Sequence, residues 1–385
     1  MRLLVIAAGS AYSGFEAQVA KPARTRTHLH LSGLQLSGLR AEATVAAAGA
    51  AARAGGGIGA MEEFAGKLAV ITGGGSGMGR ELIRQLAAQG CSVAACDLNP
   101  DSVAQAAAAA RSEAPPGVRV SGHACDVADE AQVLRFRDEL VAEHGCDHVD
   151  LVFANAGIGG GESFATGDRT VWERVFAVDW FGVYYCARAF LPLLMASSEG
   201  VLVTTSSVNG LWASLGPGVP QNAYSTAKFA VRGFTEALIE DLRVHAPHVR
   251  AVLVMPGHVG TDIVANSLRG RGLPAPEQMT EAQLAGVIPD RVRPALAKAG
   301  LLSEDAPPEE VRRMLTQMSA DFRDKAPVSA AQAATIILAG VRAGAWRILI
   351  GEDAKMIDAA VRAKPEAAYD YAELFGRPAA APESA

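Results

Sequence analysis

The stretch Leu68–Gly90, "LAVITGGGSGMGRELIRQLAAQG", passes from a short apolar run through a cluster of glycines into an Ala/Leu-rich amphipathic segment. The apolar run bounded by glycine predicts a buried strand, and the segment after Gly77 repeats its apolar residues at helical intervals. Strand, glycine turn and helix in this order form the context in which a glycine-rich loop carries meaning. Gly73, Gly77 and Gly79 stand where side chains would keep a diphosphate from the backbone N–H groups at the helix start. The helix dipole also favours an anion there. The spacing TGxxxGxG, Thr72 to Gly79, differs from the commoner GxGxxG, and no lysine follows the glycines as a triphosphate-binding loop would need.

Outward from this stretch the same alternation continues. The runs "LAVIT", "CSVAACD", "VRVSGHACD", "VDLVFAN", "GVLVTTS", "RAVLVMP" and "WRILIG" are separated by helical segments. Strands this apolar predict a parallel sheet covered on both faces. The expectation is an α/β, doubly wound, Rossmann-type sheet of seven strands in one domain over residues 61–353. Residues 264–328 break the pattern with charged, Pro-containing helical pieces and read as a helical lid insertion. Residues 354–385 read as a polar C-terminal tail.

The second strand ends at Asp97, about 20 residues beyond the glycine loop. In isolation this is an ordinary strand-end turn residue. After a glycine loop, its carboxylate can hold both ribose hydroxyls of an adenosine and repel a 2′-phosphate. Neither its neighbour Leu98 nor the loop residue Ser76 offers an arginine to such a phosphate, so NAD is expected over NADP. Asp126, at the end of the third strand, can cap the adenine amino group.

Composition narrows the classes. Half of the 385 residues are hydrophobic, net charge is −6, and no basic stripe marks a nucleic-acid surface. No apolar run approaches the roughly 18–20 residues of a membrane span. Five scattered cysteines (Cys91, Cys96, Cys125, Cys146, Cys186) without a CxxC pair suit free thiols and a cytoplasmic location. "HGCDH" (His144, Cys146, His148) gathers ligand types at a helix-to-strand connection, but no metal site is expected. Residues 1–60, Ala/Gly-rich with six Arg or Lys against two Glu, read as a disordered or non-native extension ahead of Met61.

"NAYSTAKFAV", Asn222–Val231, puts Tyr224 and Lys228 one helical turn apart on one face. Alone, the pair reads equally as a surface contact. Taken in order with "TGGGSGMG", "NAG" (Asn155–Gly157), "SS" (Ser206–Ser207) and "PGHVGTD", however, the stretch "YSTAK" resembles the short-chain dehydrogenase/reductase family. The resemblance covers about Phe64 to Asp262 and the closing helix and strand near 329–351. It implies Tyr224 as acid/base and Lys228 as the group that binds the nicotinamide ribose and lowers the tyrosine pKa. It implies Ser207 as the donor to the substrate oxygen. Asn155, Ala156, Gly157, Val259 and Thr261 would line the cofactor, Val259 and Thr261 at its carboxamide. Ser76, Met78, Leu98, Val127, Pro256 and Gly257 would complete the contacts. A phenol titrates near 10, so activating it near neutral pH needs a positive charge beside it in a water-poor cleft.

Two departures stand out. Ser207 and Tyr224 are seventeen residues apart, farther than the family's usual spacing, so the substrate-side loop is longer. In that loop Leu211, Trp212 and Leu215 either form an apolar wall or, in the case of Trp212, simply pack the loop down. Asp179 in "FAVDWFGVYY" replaces the family's asparagine, the fourth member of its catalytic set. That asparagine works through its main-chain carbonyl, so the expectation is a main-chain role for Asp179 as well, with pairing of its carboxylate to Lys228 as the alternative. His258, in "PGHVG", reads as a loop residue or a substrate contact.

The expected function is NAD-dependent interconversion of a secondary alcohol and a ketone, on a small and largely apolar substrate. The alternative is a nucleotide-sensing binding protein of the same fold. The strongly apolar stretch "WERVFAVDWFGVYYCARAFLPLLM" predicts a homodimer or homotetramer.

Overall fold

The computed structural model describes residues 61–375, apart from 161–162, 166, 215–220, 289–292, 299 and 304. The extension 1–60, Leu215 and residues 376–385 lie outside the described residues.

Each apolar run becomes a strand: β1 (Leu68–Thr72), β2 (Ser92–Asp97), β3 (Val120–Ala124), β4 (Leu151–Ala154), β5 (Gly200–Thr205) and β6 (Val249–Pro256). A short β7 (Val259–Gly260) pairs with β8 (Val328–Ser329), and β9 (Arg347–Ile350) closes the main sheet. The seven main strands are all parallel, in the order β3-β2-β1-β4-β5-β6-β9. The order reverses between β1 and β4, which opens a crevice at their C-terminal ends where such sheets bind ligands.

Helices cover both faces. On one side lie α1 (Gly77–Ala88), α2 (Pro100–Glu113) and α11 (Ala330–Arg342), burying Leu82, Ile83, Val103, Ile337 and Leu338 against the sheet. On the other lie α3 (Glu130–His144), α5 (Gly182–Ala196) and α6 (Asn222–His245), burying Phe136, Leu140, Phe190 and Val231. A helix α4 (Arg169–Phe176) runs into α5 through a π-helical turn, Ala177–Phe181.

Between β7 and β8 the chain forms α7 (Ile263–Arg269), α8 (Glu281–Val287), α9 (Arg293–Lys298) and α10 (Pro308–Asp324). These helices carry a core of their own, built from Leu268, Leu284, Leu296, Val311, Leu315 and Met318. The boundary read at 353 falls inside α12 (Glu352–Ala363), whose Ala354 and Ile357 are buried. A last helix, α13 (Tyr371–Phe375), follows. Of "HGCDH", His144 is buried beside the Ser121 hydroxyl (2.9 Å), whereas His148 is exposed beside Asp147.

At the opposite end of the sheet from the crevice, Asp150 fastens three segments. Its carboxylate accepts from the Leu68 N–H (2.8 Å) and the Ser197 hydroxyl (2.8 Å), with the Lys67 ammonium at 3.6 Å. Asp150→Ala strips a buried strand end of a charged acceptor. The expected loss is about 2–3 kcal/mol of unfolding free energy, read as a lower urea midpoint; an unchanged midpoint would show the carboxylate to be dispensable.

Candidate active site

The glycine turn is built by crowding. Gly73 has φ +69°, and a Cβ on it would lie 2.8 Å from Ala156 Cα. A Cβ on Gly79 would run into the Gly73 carbonyl oxygen, and one on Gly77 (φ +52°) would press on Thr261 at 3.1 Å. The turn is therefore backbone only, and Ser76 at the start of α1 makes no side-chain cap. Below it, the Thr72 hydroxyl accepts from the N–H groups of Asn155 (3.0 Å) and Ala156 (3.1 Å). The Asn155 amide in turn donates to the Thr72 carbonyl (3.0 Å). These bonds tie the ends of β1 and β4 together across the crevice.

Asp97 stands at the end of β2 with one carboxylate oxygen accepting from Gly75 N–H (2.9 Å) and the other from Asn99 N–H (2.9 Å). Leu98 beside it is exposed. Asp126 accepts from Ala128 N–H (3.1 Å) and pairs with the Arg174 guanidinium at 2.9 Å. Val127 is buried, so close to the π turn that a Cβ on Gly182 would meet its methyl at 2.7 Å. Met78 packs partly buried on the first helical layer. Pro256 ends β6, Gly257 donates to the Ile350 carbonyl (2.8 Å), and Val259 is buried in β7 beside Thr261.

Ser207, Tyr224, Lys228 and Asp179 come together. The Lys228 ammonium lies 5.5 Å from the centre of the Tyr224 ring and donates to the Thr205 carbonyl (3.0 Å). It is 2.9 Å from Asp179 Oδ1, and both residues are buried, Asp179 completely. The Asp179 carboxylate is thus turned onto the lysine, the pairing given above as the alternative. Asp179 lies within the π turn, a local widening of the helix often found at functional sites. Gly157 leaves the space; a Cβ there would sit 2.8 Å from Asp179 Oδ1.

The electrostatics also differ from the expectation of a lowered tyrosine pKa. Burial raises the Tyr224 phenol above its ordinary value. Lys228 and a hydrogen bond with Ser207 pull it down, but Asp179 pushes it up again, and the net direction is upward. Burial also raises the Asp179 carboxyl, against the pull of Lys228. For Lys228, burial lowers the ammonium, yet Asp179 and Tyr224 more than offset this and leave it raised.

Several participants carry no motif. Asn266 on α7 donates its amide to the Ser76 hydroxyl (2.8 Å), and Arg174 donates to the Gly270 carbonyl (2.8 Å). Asp262 is shared by Arg80 (3.9 Å) and Arg323 (3.3 Å). His258 is bonded through its ring to the Phe322 carbonyl of α10 (2.9 Å) and through its N–H to Asp353 (2.7 Å). Trp212 is buried and packs its loop down, and Leu211 is buried with it.

Asp179→Asn removes the carboxylate that opposes Lys228, so phenolate should form at lower pH than in the wild type. An ultraviolet titration of both proteins, each with its Tyr224→Phe counterpart as blank, measures this. Superimposed curves would show the carboxylate to be without influence on the phenol.

The model of the family described as short chain dehydrogenase matches residues 67–272. SadH of Mycobacterium tuberculosis is 39% identical over 207 residues, covering 54% of this chain and 72% of that protein. Levodione reductase of Leifsonia aquatica is 30% identical over 252 residues, covering 63% and 90%. Among solved structures, a short chain dehydrogenase/reductase from Burkholderia phymatum in complex with NAD is 28% identical. It superposes with a TM-score of 0.60 over 84% of this chain and 100% of its own. With the parallel sheet, the glycine turn and the assembled Ser207, Tyr224 and Lys228, the chain belongs to the short-chain dehydrogenase/reductase family.

Proposed function

We propose that this oxidoreductase uses NAD to interconvert a secondary alcohol and a ketone, with Tyr224 as the acid/base. The observation that carries the proposal is the Tyr224 phenol backed by the buried Lys228, whose ammonium lies 5.5 Å from the ring centre. The residues present fit a dinucleotide: the turn is packed so tightly on Ala156 and on its own backbone that Gly73 and Gly79 admit no side chain, and α1 offers its N-terminus without a side-chain cap. In this reading Gly73, Ser76, Gly77, Met78 and Gly79 hold the diphosphate. Asp97, Leu98, Asp126 and Val127 hold the adenosine. Asn155, Ala156, Gly157, Tyr224, Lys228, Pro256, Gly257, Val259 and Thr261 surround the nicotinamide half. A bound nicotinamide supplies or accepts the hydride.

The chain's own residues manage the oxygen and its proton. Ser207 fixes the substrate oxygen as charge develops on it, and Tyr224 gives it a proton or takes one. Burial favours the protonated phenol, which suits proton donation to a ketone. Lys228 stays charged at the ribose side of Tyr224, held by Asp179. The segment 264–328 serves as the lid, through the Asn266–Ser76 bond that brings it onto the glycine turn. The likeness to a levodione reductase and to a Burkholderia phymatum structure that holds NAD supports the reaction class and the cofactor. A nucleotide-sensing protein without chemistry is not favoured, because Ser207, Tyr224 and Lys228 are all kept and assembled. No described helix is long and apolar enough to cross a membrane, and a cytoplasmic site suits the free cysteines.

Tyr224→Phe should lower turnover of secondary alcohols about 100-fold or more, with NAD affinity within a few-fold. The wild type should prefer NAD over NADP by about tenfold or more in kcat/KM, ~1.4 kcal/mol, and Asp97→Ala should narrow that gap. NADH absorbance across a panel of secondary alcohols and ketones measures both. A Tyr224→Phe enzyme at wild-type rate would remove the tyrosine from the mechanism, and equal efficiency with both cofactors would remove the role given to Asp97.

We also propose a homodimer or homotetramer. Phe181 and Phe229 are 39% and 38% exposed, and Phe181 stacks on Tyr185 in a band that continues through Tyr184, Trp180 and Phe234. Aromatic surface of this kind favours burial against a second copy. Light scattering at micromolar concentration should give at least twice the chain mass; a monomeric mass refutes the assembly.

A further inference from the structure

The loop that leaves Ser207 is unusual in being buried. Asn209, Leu211, Trp212 and Ser214 are each less than a tenth exposed, although connecting segments ordinarily run over the surface. The start of the loop packs on α6, and the last described part of the chain covers Trp212, Ala213 and Ser214. The Trp212 indole N–H donates to the Ala368 carbonyl (2.5 Å), and its ring meets Tyr371 edge-on at 5.5 Å. The Ala213 N–H donates to the Tyr369 hydroxyl (3.3 Å), and the Ser214 and Tyr371 hydroxyls are hydrogen-bonded. On its other side the loop is fastened beside the acid/base candidate. The Asn209 amide donates to the Ser225 hydroxyl (3.2 Å), and Ser225 directly follows Tyr224.

A continuous chain of contacts therefore runs from Tyr371 through Ser214 and Asn209 to the residue next to Tyr224. We infer that residues 364–375 form a strap that positions the loop 208–214, and that this strap sets the size of the alcohol or ketone admitted to Ser207 and Tyr224. Tyr371 and Trp212 are the positioning residues; neither touches the cradle proposed for the dinucleotide. The loop starts at the residue that would hold the substrate oxygen, so displacing it widens the substrate side and leaves the glycine turn as it is. The inference about substrate size rests on the proposed alcohol/ketone chemistry, whereas the positioning of the loop does not.

The experiment uses the full chain and the variants Tyr371→Phe and Trp212→Phe, with a chain ending at Ala368 as a third form. Hydrogen exchange should speed up about fivefold or more at the amides of 209–213, with the amides of 73–79 unchanged. With isopropanol and cyclohexanol as substrates, kcat/KM should shift about fivefold toward the bulkier alcohol, mainly through KM, while KM for NAD stays the same. Unchanged exchange at 209–213 in both point variants overturns the strap, whatever the activity. Faster exchange with the same preference between the two alcohols overturns its role in specificity. If the wild type oxidises neither alcohol, the proposed substrate class is what has failed, and the exchange measurement still decides the strap.

Discussion

Two opposite charges, Asp179 and Lys228, lie 2.9 Å apart and out of reach of water. Removing a charge from water costs several kcal/mol even after relaxation, so each must be met by fixed partners. Lys228 is met by Asp179 and the Thr205 carbonyl, and Asp179 by Lys228 with the Ile158 N–H at 3.4 Å. Those partners come from the segment after β4, the π turn, the end of β5 and the first turns of α6. Four elements are thus held to one point, and Tyr224, a turn before Lys228, is placed by the same constraint. Gly157 follows from it too, because any side chain there would displace the carboxylate.

The parts of the molecule that were legible in the sequence share a property: their signal is local. Apolar runs of four to eight residues became the seven strands, and the glycines of 73–79 marked a turn whose backbone has no room for side chains. The four-residue step from Tyr224 to Lys228 placed both on one face of α6. Asp179 was legible as a departure from a pattern, but the direction of its side chain was not. Asp179 sits in the π turn Ala177–Phe181, which nothing in the string "FAVDWFG" announces.

Contacts between distant segments were not legible at all. The insertion after Asp262 reads as charged helical pieces, yet it buries Leu284, Leu296 and Val311 in a core of its own. Asn266 and Asp262 tie it to the glycine turn and α1, and Arg174 and His258 hold it at Gly270 and Phe322. Arg174 gave no sign that it would meet both Asp126 and the Gly270 carbonyl. Residues such as these are ordinary in their own neighbourhoods, and only the fold gives them partners. The same holds for residues after 353, whose polar composition suggested a tail although Ile357 and Ala368 are core residues.

The bond from Trp212 to Ala368 spans 156 residues, and that separation has a consequence for synthesis. Chains emerge from the ribosome N-terminus first, so Trp212 is made well before Ala368 exists. The loop beyond Ser207 has no cover until the final helix has been made, and until then its indole faces solvent or whatever else binds an apolar ring. The loop therefore gains this cover only when nearly the whole chain has been made, and every nascent chain passes through a stage in which Trp212 exists without Ala368.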